Sequence, residues 1–290
     1  MIIVIAGPTA VGKTKLSVQL AKIYNGEIIN ADSTQVYEGI DIGTAKVTKE
    51  EKQRVPHHLI DIKKLNEEYS VFSYQKDCRA KIEEIKAKNK IPIIVGGTGF
   101  YIKAALYDYQ FSEEVEKDDL FENLSNEELY KEIIDYDSDI EIDKNNRRRL
   151  VRTVNKIRKE TMIEGQTPKL LYDDVIWIGL TADTEKLYEL INKRADGILI
   201  DLVDEVKALY ETYHDSKELQ TAIGYKELID FFENKTTFRD SVETIKKNIR
   251  NYAKRQYTFL KNQLDLQWFQ VNYDDFSKTI DEVAFYIDQK

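Results

Sequence analysis

The chain has little of several residues that usually announce a function: one cysteine, three histidines, four prolines and two methionines in 290 residues. A single Cys78 excludes an internal disulfide and any cysteine-rich zinc module, and His57, His58 and His214 are too few for an obvious metal cage. Cys78 is expected as a small core residue on a helix. No stretch approaches the roughly 20 consecutive apolar residues of a membrane helix, and the N-terminus enters a strand-like run without a basic leader. A protein of the cytoplasm with no membrane contact is expected, acting as a monomer. The length favours one sizeable core carrying a smaller inserted unit.

Positive charge is also scarce on average, with a formal net charge of -9. The average hides a division. Between Phe111 and Asp143 stand 14 acidic residues against Lys117 and Lys131, a local balance of -12 that leaves the rest of the chain at +3. Two basic blocks follow: "RRRLVRTVNKIRK" at 147 to 159, and Lys246, Lys247, Arg250, Lys254, Arg255 and Lys261. Either block alone reads as a solvated helix face. Two of them in an acidic protein point to an anionic macromolecular ligand.

The first hundred residues alternate strand-like and helix-like patterns. Ile2 to Ala6 reads as a buried strand and Lys13 to Tyr24 as a helix, with Asn25-Gly26 as its stop. "EIINAD" (27 to 32) and "HHLIDI" (57 to 62) read as further strands. Ser70 can cap a helix whose apolar face is Val71, Tyr74, Cys78, Ile82 and Ile85, leading to the strand "IPIIV" (91 to 95). This is the pattern of a parallel sheet covered on both faces. From about residue 111 the sequence becomes charged and helix-favouring, and Ser125 with Glu128 forms a capping box. Strand character returns at "VIWIGL" (175 to 180). Helices are then expected from Thr184 to Tyr213 with a break near Gly197, from Lys217 to Phe232 and from Ser241 to Leu264, with a last strand at "LQWFQV" (266 to 271). The expected fold is α/β: a P-loop NTPase-like parallel sheet core flanked by helices (1–110 and 175–290), with an inserted helical domain (111–174).

"GPTAVGKT" (7 to 14), between the first strand and the first helix, fits the G-x-x-x-x-G-K-[ST] phosphate loop. Gly7 and Gly12 let backbone amides turn inward around phosphate oxygens at a helix N-terminus. Lys13 brings positive charge to the terminal phosphate, and the Thr14 hydroxyl can join a magnesium shell. Pro8, Thr9, Ala10 and Val11 complete the candidate diphosphate-binding loop. A nucleotide-hydrolysing enzyme of this type normally has a strand ending in Asp to help hold magnesium. Here "IPIIV" runs instead into Gly96-Gly97-Thr98-Gly99, a turn that lets a backbone or ligand approach closely. Thr98 can present its hydroxyl beside the phosphate site, or the turn can be a plain strand end. Asp32, at the end of the second strand, faces the same cleft as the phosphate loop, because ligands of open α/β sheets sit beyond the carboxyl ends of the strands. A carboxylate there can bind magnesium, act as general base or cap the next turn.

Read together, "GPTAVGKT", "ADSTQVYEGIDIGTAK", "PHHLIDI", "VGGTGFYIKA" and "AIGYKELI…YAKRQYTFLKNQ" resemble, in order and approximate spacing, the bacterial tRNA dimethylallyltransferase (tRNA isopentenyltransferase) family. The resemblance spans nearly the whole chain. It implies transfer of a dimethylallyl group from dimethylallyl diphosphate to the exocyclic N6 of the adenosine on the 3′ side of the anticodon. The loop then holds a leaving group, with Lys13 and a magnesium ion on Thr14 stabilising the charge that develops on it. By the family pattern Asp32 is the base that takes the amine proton, Thr9 and Thr98 lie near the reacting atoms, and Ser33, Thr34 and Gln35 touch the target nucleotide. The inserted domain is implied to grip the anticodon stem-loop, with "NNRRRLVRTV" placing Arg148, Arg149 and Arg152 near the tRNA, while Arg147 or Arg158 can belong to a solvated face.

Three departures bear on the resemblance. Asn146 stands where the family has Asp, the family's Thr-Gly is absent at Thr161-Met162, and an Arg of the first insertion helix has no counterpart in "EVEKDDLFENL". Its charge is expected from Lys103 or the 147 to 152 cluster. Competing readings are a small-molecule or nucleotide kinase, an adenylate isopentenyltransferase acting on free nucleotides, and a non-catalytic RNA-binding protein with an inert loop.

Overall fold

β1 (Ile2–Ala6) is fully buried and lies in the interior of a six-stranded parallel sheet, in a computed structural model that describes residues 1–111, 121, 124–138, 140, 142–158 and 168–290. Its partners are β4 (Ile91–Gly96) on one side and β5 (Val175–Thr181) on the other. With β2 (Gly26–Asn30), β3 (His57–His58) and β6 (Gln267–Gln270) the order is β3-β2-β4-β1-β5-β6. Because successive side chains point to opposite faces, Ile2, Val4 and Ile94 join one apolar core and Ile3, Ile5 and Ile93 the other.

The second core packs α1 (Lys13–Ile23), part of α7 (Thr184–Tyr213) and α11 (Phe276–Asp288). The first packs α3 (Val71–Ala87), α4 (Gly99–Leu106), α9 (Tyr225–Phe232) and α10 (Phe238–Gln263). Ser70 caps α3 by accepting from the Ser73 amide at 3.1 Å. Cys78 is a wholly buried residue of this layer, and burial pushes its thiol up to about 12. Two short helices complete the unit, α2 (Lys49–Lys52) and α8 (Lys217–Thr221).

Four expectations about local structure are corrected. The residue that ends the first helix in the left-handed region is Asn25 (φ 51°), while Gly26 already belongs to β2, where a Cβ would lie 2.9 Å from the Ile91 carbonyl oxygen. The strand expected over 57 to 62 pairs only through His57–His58, because Leu59 (φ 59°) and Asp61 (φ 54°) turn the chain off the sheet. α7 runs unbroken through Gly197, whose Cβ position is open space. The helix expected from 217 to 232 is two, divided at Gly224 with φ 96°.

The chain forms two compact units, residues 1–107 with 170–290 and residues 108–169. The expected limits of the insertion, 111 and 174, move to these values because Tyr107 and Leu170 pair as an antiparallel bridge in the first unit. The smaller unit has α5 (Asn126–Tyr136), α6 (Arg147–Arg158) and a core of Phe121, Leu129, Ile133, Leu150 and Val154. Ser125 and Glu128 form the capping box on α5. Asn146 accepts from the Arg149 amide at 3.1 Å, so the amide side chain caps α6 where the family has a carboxylate. Thr161-Met162 and most of "EVEKDDLFENL" lie outside the described residues.

Glu27 of β2 ties the sheet edge together, accepting from Lys90 at 2.7 Å and contacting His58 Nε2 at 2.7 Å. Burial alone would raise its pKa, but hydrogen bonds from Lys90 and His58 outweigh burial and lower it to about 2. A depressed carboxylate stabilises the fold above its unfolded value of about 4.5 and loses that contribution as pH falls toward 2. Thermal melting against pH is therefore expected to fall steeply between these values, and Glu27→Gln to flatten that limb. The full contribution is on the order of 3 kcal/mol.

Candidate active site

The loop "GPTAVGKT" leaves β1 and enters α1 through Gly12, at φ 98°. A Cβ there would also meet the Phe276 ring at 2.7 Å, so backbone and packing both demand glycine. Thr9, Ala10, Gly12, Lys13 and Thr14 line a cavity of about 600 Å³ at the carboxyl end of the sheet. The other three loop residues shape it from behind. Val11 is buried in the core, Gly7 stands where a Cβ would be 2.8 Å from the Leu180 carbonyl oxygen, and the Pro8 carbonyl accepts from Lys13 Nζ at 2.7 Å.

Asp32 follows β2 and faces the same cavity. Its Oδ1 accepts from the Thr34 amide at 3.0 Å and the Thr34 hydroxyl at 2.6 Å. Among the described residues no hydrogen bond occupies Oδ2. Asn30 holds the turn from behind, accepting from the Asp32 amide at 3.1 Å and donating to the Leu59 carbonyl at 3.0 Å.

The glycine turn after β4 is closely packed, and Gly96 also lines the larger cavity. A Cβ on Gly96 would lie 2.1 Å from the Ala31 carbonyl oxygen, one on Gly97 would meet Gln256, and one on Gly99 would meet Phe259. Thr98 donates its amide to the Ala31 carbonyl at 3.1 Å and accepts the Ser33 amide on Oγ1 at 3.1 Å. It therefore fixes the turn that carries Asp32 and does not itself line the cavity. Ser33 and Thr34 line a second cavity of about 270 Å³, which shares Thr9, Ala10 and Asp32 with the first, while Gln35 lines the larger one.

The motifs "DIGTAK" and "PHHLIDI" meet at Lys46, whose buried ammonium pairs with both Asp41 and Asp61 and donates to the Tyr37 carbonyl at 2.7 Å. Glu205 of α7 accepts from the Ile42 amide at 3.1 Å and from the Tyr225 hydroxyl, which in turn receives the Gly43 amide at 3.2 Å. These contacts hold residues 34–48 over the cavity. His57 lines it as well, its pKa lowered by burial.

Two side chains that sequence reasoning did not single out, Gln256 and Arg194, complete the site together with Arg255 of the second basic block. Gln256 of α10 is buried and accepts the Thr9 amide on Oε1 at 2.8 Å, joining the phosphate loop to the glycine turn. Arg194 of α7 lines both cavities and Arg255 lines the smaller. Arg194 sits one turn of an unbroken helix from Gly197, and the expected break at that glycine concealed it. Lys103, expected to replace the family's missing Arg, instead donates to Gln263 at 2.9 Å and lines neither cavity. In the smaller unit Arg148, Arg149 and Arg152 are exposed on α6. Arg147 binds the Phe121 and Leu124 carbonyls and Arg158 binds Glu132, so those two serve the unit's own packing.

The parallel sheet and the loop between β1 and α1 define a protein of P-loop-like α/β fold, with the Asp32 carboxylate on the wall of the same cavity. A family model described as IPP transferase matches residues 35–263. The tRNA dimethylallyltransferase of Anoxybacillus flavithermus is 46% identical, covering 100% of this chain and 96% of that protein, and that of Geobacillus kaustophilus is 43% identical over 98% and 95%. The crystal structure of the full-length tRNA isopentenylpyrophosphate transferase of Bacillus halodurans superposes with a TM-score of 0.77 at 38% identity, covering 99% of this chain and 95% of that one. A eukaryotic dimethylallyltransferase acting on tRNA gives a TM-score of 0.86 at 31% identity, over 99% and 78%. The chain belongs to the IPP transferase family.

Lys13 is a titratable cation on the wall of the larger cavity. Burial lowers its pKa to about 8, against the opposing attraction of Asp32, and the nearby Arg194 lowers it further. Inorganic pyrophosphate binding is expected to be tightest below about 8, where the ammonium is charged, and to weaken by up to tenfold per pH unit above it. Calorimetric titration across this range checks the effect, and Lys13→Ala should lose that inflection while keeping the ligand's own titration.

Proposed function

We propose that this chain transfers the dimethylallyl group of dimethylallyl diphosphate to N6 of the adenosine 3′-adjacent to the anticodon in tRNA and releases diphosphate. The observation that carries this reading is that one wall, Thr9, Ala10 and Asp32, is common to a phosphate-loop cavity and to a second cavity that has Ile191, Ala195, Ile223 and Ile249 along one side. A leaving group, an allylic carbon and a base can then lie in sequence across it.

Lys13, Arg194 and the loop amides hold the diphosphate and stabilise charge on the departing oxygen. Magnesium, when bound, neutralises diphosphate oxygens. Thr14 would hold it through a hydroxyl on the cavity wall. Asp32 Oδ2 accepts the proton of the exocyclic amine as the new bond forms, while Thr34 keeps Oδ1 in place. Thr98 and Asn30 orient that carboxylate, and Thr9 borders the reacting carbon.

The target adenosine must leave its stack to reach Asp32, at a cost met by contacts to the backbone and base. Ser33, Thr34 and Gln35 stand where such a base would enter. Arg148, Arg149 and Arg152 offer charge to the stem-loop. A tRNA substrate agrees with an enzyme of the cytoplasm, and among the described residues no helix is long and apolar enough to cross a membrane.

Purified chain, magnesium and dimethylallyl diphosphate are expected to convert an anticodon stem-loop to its isopentenylated form, read by mass spectrometry of the nucleosides. Alkylation of AMP with an untouched stem-loop would overturn the tRNA reading. Asp32→Asn is expected to slow transfer by about 100- to 10,000-fold with stem-loop binding retained. Arg152→Ala should weaken that binding and reduce the slope of log affinity against log salt by about 0.7 to 0.9. A slope equal to that of the unsubstituted chain would return Arg152 to the solvated face of α6.

A further inference from the structure

The two cavities differ in what surrounds their shared wall. Lys13 and Thr14 line only the larger, whereas Ile191, Ala195, Ile223 and Ile249 line only the smaller. Behind the smaller cavity lies a third void of about 10 Å³, with Leu202, Val242 and Ile245 among its walls. Ala195, Ile198, Ile223 and Ile249 border both the cavity and the void. These four side chains form a partition with substrate space on one side and unfilled apolar space on the other. A void of this size is at the lower limit for one water and has no polar side chain to hold it, so it stays dry.

We propose that this partition sets the length of the prenyl chain the enzyme accepts. The inference rests on the transfer reaction proposed above. A cavity of about 150 Å³ is enough to hold benzene. The smaller cavity, at about 270 Å³, is a little under twice that size, which suits a base edge and a short branched group. The dimethylallyl group ends against Ile223 and Ile249. An allylic diphosphate longer by one isoprene unit carries its extra carbons into the partition and is refused, because a packed apolar wall does not yield without cost. Polar contacts at the diphosphate are the same for both substrates, so only this wall can tell them apart.

Truncating the wall opens the void behind it. Transfer to the stem-loop is measured for dimethylallyl and geranyl diphosphates with the unsubstituted chain, Ile223→Ala, Ile249→Ala and Ile200→Ala, the last on α7 but 79% exposed and lining none of the three spaces. The geranyl-to-dimethylallyl ratio of kcat/KM is expected to rise by roughly 10- to 200-fold in the two partition variants and to stay unchanged in Ile200→Ala. An unchanged ratio in partition variants that fold and use dimethylallyl diphosphate overturns the proposal, as does equal use of both diphosphates by the unsubstituted chain. If the alanine variants lose cooperative melting, Ile223→Val and Ile249→Val carry the test. A smaller rise in the same direction supports the partition and no rise overturns it. Should the unsubstituted chain transfer nothing to RNA, the transfer reading fails by itself. The relative binding of the two diphosphates, measured by competition without RNA, still decides the role of the wall.

Discussion

No side chain fits between Gly96 and Ala31. That close approach of two backbones, where a Cβ would stand 2.1 Å from a carbonyl oxygen, lets the ends of β2 and β4 meet above the sheet. Thr98 can then bond both Ala31 and Ser33, and the turn bearing Asp32 is held beside the phosphate loop. Any residue but glycine at 96 would push the two strand ends apart and carry the carboxylate away from the loop at 7–14. In a hydrolase of the same general fold this strand end carries an acid for the metal. Here Gly96 packs against Ala31 while bordering the cavity, and the carboxylate on that cavity follows the neighbouring strand.

The same logic extends to the helices. α7 contributes Arg194 to the cavity and Glu205 to the turn at 41–43, α9 contributes Tyr225 to that turn, and α10 contributes Gln256 to the phosphate loop. The C-terminal third therefore acts on the site partly through Arg194 on the cavity wall and partly through Glu205, Tyr225 and Gln256, which accept backbone amides. The motif "AIGYKELI" matters through Tyr225, whose ring fills the space a side chain at Gly43 would need.

Much of this was legible in the sequence because its signals are local. The phosphate loop needs a strand, two glycines and a helix in direct succession. The caps at Ser70 and Ser125 need only their own next turn. Asp32 was placed in the cleft by the general rule for strand ends. What escaped was either long-range or ambiguous in kind. Gln256 meets Thr9 across 247 residues, and nothing around a lone glutamine in a helix advertises such a partner. Gly197 looked like a helix break because glycine is a poor helix former, yet packing on either side carries α7 through it. "HHLIDI" looked like a strand because it is a short run rich in Leu and Ile, but Asp61 is drawn off the sheet toward Lys46, an ion pair no pattern of hydropathy encodes. The four aliphatic wall residues of the smaller cavity were indistinguishable from ordinary core.

Gly12 rests against Phe276 and Thr9 is bonded to Gln256, so the phosphate loop leans on residues made long after it. A ribosome adds roughly 5 to 20 residues per second, so "GPTAVGKT" emerges many seconds before either support exists. During that interval the nascent chain carries the signature of a phosphate site without its scaffold. The first motif translated thus gains its full set of supports only near the end of synthesis.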